Sequence, residues 1–151
     1  MSLIFSRKTL TVVLTLGSTY AWYANITKIV AFYDVYGTFA RFQNTTLPNP
    51  LITPCFYGGI AFLIALWLSL RNSKYLHLLL MASTLFAWGN WSWGIVQYSI
   101  LKSSDTIFCS GTSASNPFLT PCFIGASFFT SALIISHKGK RLAKATSSNH
   151  T

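Results

Sequence analysis

The sequence predicts an all-α integral membrane protein: four transmembrane helices built as two tandem two-helix repeats, with both termini on the inner side. Three observations predict it. Only 9% of residues are charged, and the two acidic ones are Asp34 and Asp105, against about 25% charged in an ordinary soluble domain. Apolar residues make up 52% and come in long uncharged runs rather than at amphipathic intervals. A ten-residue phrase occurs twice, as "NPLITPCFYG" at 49–58 and "NPFLTPCFIG" at 116–125.

The first helix is predicted over about 10–33. It is uncharged from Thr9 to Thr27, interrupted by Lys28 and apolar again to Tyr33. The second covers about 51–70, ending at Arg71, and the third about 76–101, between Lys74 and Lys102. The fourth covers about 117–137, closed by Lys138. Each reaches or exceeds the roughly 20 residues that cross about 30 Å of hydrocarbon. A bilayer offers no partners to exposed backbone, so such spans are helical. The start, "SRKTLTVVLTLGSTYA", has the basic-then-apolar order of a signal peptide. Its counterpart in the second repeat lies mid-chain, which argues for a retained span.

Orientation follows from Lys and Arg. Arg7, Lys8, Arg71, Lys74, Lys138, Lys140, Arg141 and Lys144 fall on one side, Arg41 and Lys102 on the other, with Lys28 near that outer end. The positive-inside rule puts both termini in the cytoplasm. The formal charge of +9 then reflects topology. No stacking or groove-reading module accompanies it, so nucleic acid is not expected as a partner. The basic tail, 138–151, suits contact with anionic lipid.

The repeat reaches beyond the phrase. Ala21-Trp22 and Ile29-Val30 recur 66 positions later as Ala87-Trp88 and Ile95-Val96. The phrase recurs after 67, as do Phe62/Phe129, Ala65/Ala132 and Leu66/Leu133. Repeat one is about 10–70 and repeat two about 76–137. An even number of spans per unit gives the copies one orientation, related by a pseudo-twofold along the membrane normal.

Both phrases fall where the chain re-enters the membrane from outside. Thr53 and Thr120 are suited to cap a helix, and Pro54 and Pro121 to its first position, where a missing N–H costs nothing. Pro50 and Pro117 hold the preceding residue extended. Asn49 and Asn116 suit a turn. Gly58 and Gly125 suit close helix packing. The phrase is therefore chiefly a repeated helix-start device.

Cys55 and Cys122 lie just inside the helix starts, at the positive end of the dipole, which favours thiolate. They face the outer, oxidising side, where disulfides persist. The third cysteine, Cys109, is in the second outer loop. A Cys109–Cys122 disulfide is the expected pairing, with three free thiols or a Cys55–Cys122 bond across the pseudo-twofold as the alternatives. The arrangement resembles the quinone-linked thiol oxidoreductases of the vitamin K epoxide reductase kind in architecture alone. Those use a CxxC at a helix end plus a second cysteine pair, and this chain has no CxxC and three cysteines. A redox enzyme, if built here, would use Cys55 and Cys122 with Cys109 resolving.

Other chemistries find little purchase. His77 and His137 lie at inner helix ends and His150 in the tail, away from the cysteines, so no metal site and no cofactor are expected. Asp34 and Asp105 do not align within the repeat and read as loop residues. Lys28 lies close enough to the outer end to snorkel or to pair with Asp34. Helix 3, "FAWGNWSWGIVQY", has Gly89 and Gly94 for close helix approach. It also carries Trp88, Asn90, Trp91 and Gln97, which with Asn25 form a candidate lining for a hydrophobic ligand.

The function expected is thus non-catalytic: an accessory subunit, or a binding or carrier protein for a hydrophobic ligand, in a cell membrane. The bilayer is its partner, with other subunits or self-association as further ones. The rivals are an outer-face thiol–disulfide oxidoreductase and a small oligomeric transporter.

Overall fold

A computed structural model describes residues 2–39, 49–101, 118 and 120–148. Among the described residues the fold is all-α, with four long helices and no strand. They are α1 (Ser2–Tyr36), α2 (Pro54–Leu70), α3 (Leu76–Leu101) and α4 (Pro121–Ser148). The residues Arg41, Lys102, Asp105, Cys109, Asn116, Pro117 and His150 lie outside the described set.

The helix boundaries have local causes. α1 ends where Gly37 turns left-handed (φ 63) and its N–H returns to the Tyr33 carbonyl at 2.8 Å, a closure that glycine makes without a Cβ penalty. α2 starts at Pro54, three residues later than the apolar run, because Pro50–Ile52 form a separate 3₁₀ turn. Asn49 holds that turn. Its Oδ1 accepts from the Leu51 N–H at 3.0 Å, and its Nδ2 donates to the Phe39 carbonyl at 2.9 Å. Asn72, left-handed at φ 56, closes α2, with the Ser73 N–H reaching the Leu68 carbonyl at 3.0 Å. α4 runs past the predicted end at 137 to Ser148, since the tail is rich in Lys, Arg, Ala and Leu, all good helix formers.

The two threonines of the repeated phrase behave differently. Thr120 Oγ1 accepts from the Phe123 N–H at 3.4 Å, the expected capping role. Thr53 makes no side-chain cap; its hydroxyl donates to the Pro50 carbonyl at 2.7 Å. The 3₁₀ turn places that carbonyl within reach, and the Phe56 N–H bonds the Thr53 backbone oxygen instead, at 3.0 Å.

The four expected spans are thus helices, but among the described residues no helix is both long and apolar enough to cross a membrane. α2 is the most apolar and has 17 residues, about 25 Å at 1.5 Å per residue. In α1, α3 and α4 the Ser, Thr, Asn, Trp and Tyr content, Lys28 and the basic end of α4 lower the mean hydropathy.

Around the bundle, α1 packs along α2 and α4, and α3 packs along α4 and more sparsely along α2. The core occupies one half: Leu10 and Leu14, Phe62 and Ala65, Leu76 and Leu80, Phe129 and Ala132. At its centre Phe62 and Phe129 stack at 3.8 Å between centroids, planes 11° apart.

Candidate functional site: an apolar cavity between repeat counterparts

The other half of the bundle is hollow. A cavity of about 510 Å³ lies among the four helices, above the Phe62–Phe129 stack, within the range of small-molecule sites. Its walls come from repeat counterparts. Pro54 and Pro121, Cys55 and Cys122, and Gly58 and Gly125 all line it from α2 and α4. Tyr20 and Phe86, Ala21 and Ala87, and Ala24 and Asn90 line it from α1 and α3. Among the described residues the lining carries no charged side chain.

Gly58 and Gly125 do not serve close packing. A Cβ added at either meets nothing within 4 Å. They keep space open. Close approach falls instead at Gly17, where a Cβ would lie 2.6 Å from the Phe62 ring, and at Gly59, 2.8 Å from Asn25 Nδ2. Gly89, expected to admit a neighbour, also meets nothing within 4 Å. Gly17 has Ser83 as its counterpart on α3. The bulkier serine accompanies the looser α2–α3 seam, where the lining residues Tyr57 and Phe86 are about half exposed, at 53% and 48%.

Of the residues singled out in the sequence, Asn90 lines the cavity, with its Nδ2 donating to the Phe86 carbonyl at 2.8 Å. Asn25 is buried (2% exposed) and donates through Nδ2 to the Cys55 carbonyl at 3.2 Å, tying α1 to the start of α2. Trp88 donates through Nε1 to Thr130 Oγ1 at 2.9 Å. Trp91 packs edge-on to Trp88 and against Phe123. Gln97 is half-buried and lies apart from the lining.

The aromatic contacts repeat. Trp22 meets Phe56 edge-on at 6.0 Å, and their counterparts Trp88 and Phe123 meet edge-on at 5.8 Å. One bond does not repeat: Leu63 stands where the second copy has Thr130, and Trp22 Nε1 is buried with no acceptor.

Among the described residues no two sulfurs are at disulfide bonding distance. Cys55 Sγ and Cys122 Sγ are 3.3 Å apart, against about 2.05 Å for a bond. The pairing expected between Cys109 and Cys122 involves a residue outside the described set. His77 and His137 stack at 6.0 Å between centroids, and no metal-holding cluster of His, Cys, Asp or Glu occurs among the described residues.

Lys28 departs from the sequence reading. It neither snorkels nor pairs with Asp34: its Nζ is buried with no hydrogen-bond partner, while Asp34 is exposed. Asn25, one turn below, draws the start of α2 onto this stretch of α1.

Sequence reasoning missed Tyr20, Ala21, Ala24, Ser83, Phe86 and Ala87 as lining residues. One of the pairs they belong to, Ala21/Ala87, was already visible as an offset of 66 between helices 1 and 3. Comparison with protein-family models, with curated proteins and with solved structures finds no match.

Proposed function

We propose that this chain is a small multi-pass membrane protein without catalytic chemistry of its own, which binds a hydrophobic ligand in the central cavity. The carrying observation is the cavity: apolar, walled by paired repeat positions, and kept open by Gly58 and Gly125. Membrane residence draws support from the surface. Val12, Leu16, Val30, Leu63, Trp67, Leu78, Leu85, Trp93 and Ile134 are all exposed, a belt far beyond the patch a soluble monomer shows. Exposed hydroxyls are spent inside their own helix: Thr15 on the Thr11 carbonyl, Thr19 on Thr15, and Ser131 on Ser127, each at 2.9 Å. That is how a hydroxyl tolerates lipid. Helices too polar singly to span still satisfy a bilayer when their polar groups turn inward or bond locally. In this reading both termini are cytoplasmic, and self-association or a partner subunit covers part of the belt.

Two measurements test it. Alkaline carbonate washing of membranes should leave the protein in the pellet; release into the supernatant would overturn the membrane assignment. A dibrominated acyl probe should quench tryptophan fluorescence saturably in the wild type and weakly in Gly125→Leu, which fills the cavity. Equal quenching of both would remove the cavity from the function.

One observation favours a second reading. Sulfurs 3.3 Å apart are placed for thiol–disulfide exchange. If Cys122 is bonded to Cys109, attack by the Cys55 thiolate on Cys122 Sγ forms a Cys55–Cys122 bond and expels Cys109 as thiolate, with no external oxidant. Mapping disulfides after acid quench, in the wild type and in Cys55→Ser, decides whether this exchange occurs.

A further inference from the structure

We propose that the cavity takes the hydrocarbon tail of a single-chain, long-chain carboxylate, with its carboxylate held by Lys28. This rests on the hydrophobic-ligand reading above and names the ligand class. Ala21, Ala24 and Lys28 are spaced i, i+3 and i+7 along α1, so they share one face of that helix. Ala21 and Ala24 line the cavity, and Lys28 continues their stripe one turn further out. Its ammonium is buried with no acceptor. A buried, unpaired cation is costly, and an anion arriving there removes that cost. The first turns of α2 and α4 meet at the same level, through Cys55 and Cys122. Their positive ends add a favourable field for negative charge. Below this end the walls turn to alanine and glycine and the floor is the Phe62–Phe129 stack, whose ring faces are turned on each other. The small, apolar side chains between the two ends leave room that suits an aliphatic chain. The looser α2–α3 seam gives a chain a way in from the side.

The test is photolabelling of the full-length protein in phosphatidylcholine vesicles with diazirine-bearing palmitate and with its methyl ester. Palmitate should label peptides containing Gly58, Phe62 and Phe86, saturably, with excess unlabelled palmitate competing and excess phosphatidylglycerol not. In Lys28→Met, which keeps the aliphatic stem, palmitate labelling should fall at least tenfold while ester labelling holds. Unchanged thermal unfolding of that variant separates loss of the anchor from loss of the fold. If Lys28→Met labels with palmitate like the wild type, or if phosphatidylglycerol competes as well as palmitate does, the proposal is overturned and the hydrophobic-ligand reading survives. If neither probe labels the cavity peptides, both fall.

Discussion

Phe62 and Phe129 stand 67 positions apart, the spacing of the repeated phrase, and they meet face to face at 3.8 Å, planes 11° apart. Each is 2% exposed. The stack joins α2 to α4 and separates the packed half of the bundle from the hollow half. Because it is built from counterparts, truncating either ring should cost alike, about 3–5 kcal/mol for Phe→Ala. Chemical unfolding in detergent, followed by circular dichroism, measures both variants. The double variant should cost less than the two together, with a coupling of about 0.5–1.5 kcal/mol. Strict additivity would mean the rings do not stack.

The glycines sort into two kinds, and alanine substitution separates them. Gly17→Ala and Gly59→Ala place a methyl group 2.6 Å from the Phe62 ring and 2.8 Å from Asn25 Nδ2. Each should lower stability by about 1–3 kcal/mol, the usual cost of overpacking. Gly58→Ala and Gly125→Ala meet nothing within 4 Å. They should raise stability by about 0.5–1 kcal/mol through helix propensity. Thermal melts of the four variants give the comparison, and a loss in all four would contradict an open cavity.

Much of this was legible in the sequence. Charge spacing placed α3 at its observed bounds, Leu76–Leu101. The repeat pointed to Phe62/Phe129 and Cys55/Cys122, pairs that meet in space. Other features were not legible, for physical reasons. Whether a glycine admits a neighbour or preserves a void depends on what faces it, so Gly58 and Gly17 look alike in a string of letters. A lysine near a helix end snorkels or stays inside according to the rotamer its neighbours leave open, and Lys28 stays inside. Trp88, Trp91 and Asn25 were read as cavity lining because they are large or polar. Their polar atoms and rings are engaged with Thr130, Phe123 and Cys55 instead.

Asn72 closes α2 with a left-handed backbone, φ 56. Asn72→Gly should hold or slightly raise stability, since glycine adopts this conformation freely. Asn72→Val should cost about 1–2 kcal/mol, because a β-branched side chain meets its own backbone there. Melting curves that fail to rank glycine above valine would count against this turn.

Trp22 and Trp88 make the same edge-on contact with Phe56 and Phe123, yet only Trp88 has an acceptor for its indole N–H. The difference is one residue, Leu63 against Thr130. Thr130 Oγ1 donates to the Ala126 carbonyl at 2.8 Å and accepts from Trp88 Nε1 at 2.9 Å. Ala126 has Gly59 as its counterpart, so a threonine in place of Leu63 can donate to the Gly59 carbonyl and accept from Trp22. A buried unsatisfied donor costs about 1–3 kcal/mol. Leu63 is already 45% exposed, so little apolar burial is lost by changing it. Leu63→Thr should therefore gain about 1 kcal/mol, and Thr130→Leu, which orphans Trp88, should lose about 1–3 kcal/mol. In NMR of the detergent-solubilised protein, the Trp22 indole proton should move downfield in Leu63→Thr and the Trp88 proton upfield in Thr130→Leu. Opposite signs in the two variants are required, because the same bond is added in one repeat and removed from the other.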